Sequence, residues 1–197
     1  MKNYLIKTLI LSLPIWFIIS CQREKIDHAT EVVSTEKIAI LSKSELDSIA
    51  TFSQKTLLKN ISGAISKGGT EYAVEFCNLK AMPLTDSLSA HYGVSISRIT
   101  DKSRNPLNQL KSAADREVFE YFRANSGLID SLISNGDQQV YYKRINAAMP
   151  ACIQCHGNPE SDIASGTLLK IQTLYNQDQA LGYALNDFRG LWKIETN

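Results

Sequence analysis

The sequence predicts an α+β domain in which long N-terminal helices precede an antiparallel sheet. Three observations carry the prediction. Through residues 42–91 apolar side chains recur at helical period with one interruption, at Gly68 and Gly69, and after Gly93 the period falls to two, in residues 94–99 and again in 139–147. A third is the C-terminal pattern, where residues 182–185 and 188–195 read as a hairpin across Asn186 and Asp187.

The elements follow in order. Ser42 and Glu45 are spaced as a capping box, and Leu46, Ile49, Ser53, Leu57, Ile61 and Ala64 form the apolar stripe of a first helix that Gly68 and Gly69 stop. Thr70 is placed to cap a second helix, with Ala73, Cys77, Ala81, Leu84 and Leu88 on one face until His91 and Gly93 end it. Cys77 therefore points toward the core. Residues 94–99 alternate with serines and read as a strand, and RNPLNQL is a turn, because Pro106 pushes Asn105 out of helical geometry. A helix over 112–123 follows. Residues 139–147 read as a strand leading directly into the segment PACIQCHGNP, and a further helix lies within 163–174.

At 197 residues and 44% hydrophobic content the chain has room for one core. Its 21 basic and 20 acidic residues leave a net charge of +1, with no block of like charge able to track a phosphate backbone, which argues against a nucleic-acid partner. The start is different material. Lys2 and Lys7 precede the apolar run TLILSLPIWFIIS, which is shorter than the ~20 residues that a spanning helix needs. It reads as an export signal, and the ending Ile18, Ile19, Ser20, Cys21 resembles a bacterial lipoprotein signal, in which Cys21 takes the lipid. The competing reading is an uncleaved anchor helix. Either way the mature chain faces the periplasm and is held to a membrane. The expected organisation is a signal peptide at 1–20, a polar tether at 21–43 and one domain at 44–197.

In PACIQCHGNP, Cys152, Cys155 and His156 have the spacing by which a chain attaches a c-type haem. Each cysteine sulfur adds to a porphyrin vinyl group, and the adjacent histidine then lies under the iron. One covalent haem c is therefore expected. A zinc site would want a second ligand pair, and only Cys77 is on offer; a redox disulfide would want a helix start in a βαβ setting, which the surroundings do not provide. Thiols outside the cytoplasm oxidise unless occupied, which leaves Cys77 as the odd residue. After His156 there is no Met, His or Cys, so a second axial ligand must come from upstream. His28 lies in the tether, and Met82 and Met149 are candidates, Met149 being only three residues before Cys152. Cys77 and His91 remain the leading pair. Arg98, Lys102, Arg104, Asn105 and Asn108 form a compact donor set suited to haem carboxylates, with a solvated turn as the plainer reading.

Four segments taken in order, EFCNLKAMP, RITDKSRNPLNQ, YYKRI running into CIQCHG, and LYNQDQALGYALNDFRG, resemble exported single-haem c-type cytochromes built on a PAS-like fold. The resemblance covers residues 44–197. It implies a PAS-like antiparallel sheet, Cys77 and His156 as axial ligands, and periplasmic electron transfer or redox sensing. No kinase or cyclase segment occurs in the sequence, which favours a carrier with a redox partner protein; a gas or redox sensor would act through another protein. A haem peroxidase or reductase would need the open iron position that Cys77 fills. A homodimer through the first helix stays open. One departure is visible: Tyr175, Asn176, Gln177, Asp178 stand where the family has Tyr-Pro before the Asp.

Overall fold

The computed structural model describes residues 40–196. The expected signal segment 1–20, the lipidation residue Cys21, His28 and most of the 21–43 tether lie outside them. Helix α1, Lys43–Tyr92, opens with the reciprocal box read from the sequence: Ser42 Oγ accepts from the Glu45 amide at 3.3 Å and Glu45 Oε2 accepts from the Ser42 amide at 2.8 Å. The Gln139 side chain holds both the N–H and the C=O of Leu41, at 3.0 and 2.9 Å, so contacts with the domain begin a few residues before 44.

The glycine pair breaks α1 into two helical segments, as read from the sequence, with non-helical backbone at both Gly68 and Gly69. Gly69 has φ +71° and ψ −171°, a conformation closed to residues with a Cβ. The second segment starts after this break, and Thr70, expected to cap it, pairs its hydroxyl with that of Thr167 at 2.5 Å. Gly69→Ala is expected to lower the unfolding free energy by about 1–2 kcal/mol. Gly63→Ala, inside the helix with nothing within 4 Å of a new Cβ, should raise it by about 0.5–1 kcal/mol. Urea denaturation of the two variants checks the pair of opposite signs.

The sheet contains β1 (Ser95–Ile99), β2 (Asp130–Asn135), β3 (Gln138–Asn146) and β4 (Phe188–Glu195) in the order β1-β4-β3-β2, every neighbouring pair antiparallel. Helix α2, Ala113–Ala124, starts at Ser112, whose hydroxyl accepts from the Asp115 amide at 2.9 Å. Helices α3 (Pro150–His156) and α4 (Ser165–Leu174) lie between β3 and β4 in the chain.

Two points depart from the sequence expectations. The C-terminal hairpin does not form: β4 runs between β1 and β3, while residues 182–187 stay irregular because their amides serve α3, with Gly182 N–H donating to Gly157 O at 2.8 Å and Tyr183 N–H to His156 O at 2.9 Å. The turn at Asn186 exists, but its partner is Ala147, bonded through Asn186 N–H at 3.0 Å. Strand β2 was not anticipated; it pairs with β3 through a tight turn at Gly136 and Asp137, where Asn135-Gly136 is a hairpin signal. The strand over 139–147 forms as β3 and leads into the CIQCHG segment across residues 147–149, that segment forming its own helix, α3.

Packing explains the layers. Successive strand residues face opposite sides, and in β4 Trp192 and Ile194 join Leu46, Ile49, Leu57, Ala81 and Leu88 of α1 in one cluster, while Leu191 joins Phe119 and Phe122 of α2 in another. The sheet thus lies between α1 and α2. A third cluster, Val74, Ile163 and Ile171 with Cys155, Leu168 and Tyr175 against it, ties the second half of α1 to α3 and α4. Among the described residues no helix is long and apolar enough to cross a membrane.

Candidate functional site

Helix α3 is short because its ends are fixed. Pro150 starts it, a position where the missing N–H costs nothing, and Gly157 ends it in a place with no room for a side chain: a Cβ there would lie 2.5 Å from Ile153 Cγ2 and 2.7 Å from Asp162 Cβ. Cys152, Cys155 and His156, carried by this helix, all line one cavity of ≈ 380 Å³, within the ~300–1,000 Å³ range of ligand pockets.

His156 is held in one tautomer. Its Nδ1 lies 2.8 Å from Ala180 O, and a carbonyl can only accept, so Nδ1 carries the proton and Nε2 keeps its lone pair. Burial, reinforced by the charges of Arg104 and Arg189, lowers its pKa well below the ordinary imidazole value. The ring is therefore neutral, the form that binds a metal.

The Ala180 carbonyl is aimed by a strap, residues 175–187, that crosses α3. Arg104 holds the strap down: Nε and Nη2 donate to the two carboxylate oxygens of Asp178, both at 3.1 Å, and Nη2 also donates to Cys155 O at 2.7 Å. Asp178 Oδ1 in turn accepts from the Ala180 amide at 3.0 Å, which shapes the turn. Lys102 adds a bond to Leu181 O at 2.7 Å and does not line the cavity. The segment 175–178 closes without proline, through Asp178 N–H to Tyr175 O at 3.0 Å. With side chains only 12% and 6% exposed, the Arg104–Asp178 pair is a buried one. Asp178→Ala is expected to cost about 3–5 kcal/mol, because it strands a buried guanidinium; chemical denaturation reads the loss.

Cys77, from the second half of α1, lines the same cavity, as the face assignment predicted. Burial raises its thiol pKa, and the positive charges of Arg98 and Arg104 oppose that rise. Cys155 is pushed up to about 11, again chiefly by burial. His91, the rival ligand, is exposed, packs its ring edge-on to Tyr92 at 4.7 Å and is absent from the cavity wall. Met82 and Met149 do reach that wall.

The other sequence candidates divide. Arg98 in β1 lines the cavity with its guanidinium 5.7 Å from the Trp192 ring centroid, and its Nε is buried without a hydrogen-bond partner. Asn105 lines it too, while its Oδ1 accepts from the Leu107 amide at 2.9 Å. Arg104 borders the cavity, but its Nε and Nη2 are spent on the strap. Two features escaped the sequence reading. Asp178 is the strap's anchor, and Arg189 in β4 is a second cavity arginine whose Nε is buried and unpaired. Both lie in LYNQDQALGYALNDFRG; the hairpin reading over 182–195 concealed Arg189, and the distance in sequence from Arg104 concealed the role of Asp178.

Among the described residues no three His, Cys, Asp or Glu side chains converge closely enough to hold a metal ion, and Cys77, Cys152 and Cys155 are free thiols. These cysteines and His156 surround a space and do not close on a single ion or on each other. That space has apolar walls from Leu57, Val74, Ala81 and Trp192, a cationic margin and a free imidazole nitrogen, which fits a large, flat, anionic cofactor with a metal at its centre.

The Tll0287-like family model matches residues 22–197 of the chain. Among solved structures, the chain resembles the crystal structure of the cyanobacterial heme-protein Tll0287, with a TM-score of 0.58 and 23% identity over 78% of this chain and 95% of that one. The likeness is one of fold. No curated protein sequence matches the chain.

Proposed function

The chain belongs to the Tll0287-like family, and on that premise we propose that it is a monohaem c-type cytochrome of PAS-like fold, anchored by lipid at Cys21 on the periplasmic side of a membrane and working in electron transfer. The observation that carries the proposal is the convergence of Cys152, Cys155, His156 and Cys77 on one cavity. Haem c, when bound, supplies an iron that takes up and releases one electron. Cys152 and Cys155 would hold it by thioether bonds. His156 Nε2 and Cys77 Sγ would bind its iron and Arg98 and Asn105 would face its carboxylates, while Arg104 keeps the strap and so the His156 ring in place.

Two other readings of the same site rank below this one. A gas or redox sensor acting through a partner protein is the second reading, supported by the PAS-like arrangement of an antiparallel sheet under long helices; fold analogy is its only warrant. A peroxidase or reductase ranks third, since Cys77 bound to the iron would leave substrate no entry. The redox partner protein and a homodimer through α1 belong to the same proposal as expectations.

Purified from cells competent in cytochrome c maturation, the protein should be coloured and carry one haem per chain that stays with the polypeptide through denaturation and acid–acetone extraction. Haem that extracts freely from the wild type, or a colourless product, would overturn the reading.

A further inference from the structure

The cavity contains two positive charges that no described residue neutralises. Arg104 has Asp178. Arg98 and Arg189 have no carboxylate within ion-pair distance among the described residues, and the Nε of each is buried without an acceptor. Arg189 Nη1 reaches only neutral oxygens, Thr100 Oγ1 at 3.3 Å and Lys102 O at 3.1 Å. Buried, unpaired guanidinium nitrogens are uncommon in native proteins, and a missing ligand is a standard cause.

The backbone shows that Arg189 is placed there by a specific device. In the β3–β4 pairing Ile145 faces Gly190 and Asn146 faces Phe188, so Arg189 is left over as the extra residue of a β-bulge. Regular alternation would put Arg189 on the side of Leu191, which packs with Phe119 and Phe122 of α2. The bulge re-aims it, and Arg189 joins Gly190 and Trp192 on the cavity wall beside Arg98.

We infer that Arg98 and Arg189 form a seat for a ligand bearing two carboxylates, with the bulge in β4 delivering the second guanidinium. The inference rests on the haem proposal and deepens it: haem carries two propionates, one for each arginine, and two negative charges offset the two uncompensated positive ones. An Arg fork matches a carboxylate in a bidentate way. Arg104 is not part of this seat, since Asp178 already pairs with it.

The test uses the full-length, haem-loaded protein. Arg189→Gln should reduce the yield of haem-loaded protein several-fold and lower its midpoint potential, because a positive charge that favours the reduced state is lost beside the cofactor. Arg98→Gln should act in the same direction. Arg189→Lys, which keeps the charge, should recover much of both. If Arg189→Gln accumulates no loaded protein, recovery by Arg189→Lys supports the seat, and failure of Lys to recover it makes Arg189 structural and overturns the inference. A wild type that carries haem, alongside an Arg189→Gln variant equal to it in loading and potential, overturns the seat alone. A wild type without haem removes the seat and the haem proposal together.

Discussion

Replacing Cys152 and Cys155 together with serine is expected to remove all covalently bound haem. Attachment adds each S–H across a vinyl C=C, the sulfur bonding one carbon and the hydrogen going to the other, and a serine hydroxyl does not make that addition under the same conditions. The substitution leaves the scaffold in place: α3 keeps Pro150, Gly157 and the bonds from Arg104, Gly182 and Tyr183 that dock it. Each single serine variant should retain one thioether and so some bound haem, at lower yield. Haem staining of the polypeptide after denaturing electrophoresis reads all three. Stain that persists in the double variant would place the attachment elsewhere.

Cys77→Ala should leave the haem attached but change the state of its iron. An anionic sulfur donates charge and favours Fe(III), and axial ligands shift haem potentials over about 0.8 V. Loss of the sulfur is therefore expected to raise the midpoint potential by an appreciable part of that range and to open a position for carbon monoxide. Burial alone keeps the Cys77 thiol protonated, with Arg98 and Arg104 pulling the other way; a bound ferric ion adds the charge that makes the thiolate the favoured form. Cys77→Met should keep two axial ligands where the thioether reaches and raise the potential as well. Redox titration and the spectrum under carbon monoxide check these outcomes, and an unchanged potential with no carbon monoxide binding would contradict them.

Local chemistry was legible in the sequence where a short signal decides the structure. Ser42 and Glu45 make their reciprocal bonds, Gly68 and Gly69 break α1 into two segments, the helix over 112–123 forms as α2, and Cys77 faces the cavity because helical period fixes its direction. Placement set by long-range contacts was not legible. The 182–185 segment alternates like a strand, yet the amides of Gly182 and Tyr183 go to Gly157 and His156, whose positions depend on α3 docking. Arg189 was hidden for a related reason: its orientation comes from a register shift between β3 and β4, which no property of residues 188–190 announces. Arg104 looked like a ligand donor because its partner, Asp178, is 74 residues away. Strand β2 was a different kind of miss, since the signal Asn135-Gly136 was present and its flanking residues, half exposed at the sheet edge, lack a clear alternation.

The central claim is that Cys77 and His156 hold the iron from within this one cavity, and the ferric spectra of Cys77→Ala and His91→Ala proteins, by absorption and electron paramagnetic resonance, test it most directly. The account predicts a low-spin, six-coordinate wild type whose thiolate signature survives in His91→Ala, since that ring lies outside with Tyr92, and disappears in Cys77→Ala. The opposite result, a wild-type spectrum in Cys77→Ala and its loss in His91→Ala, would show a bis-histidine iron and contradict the account.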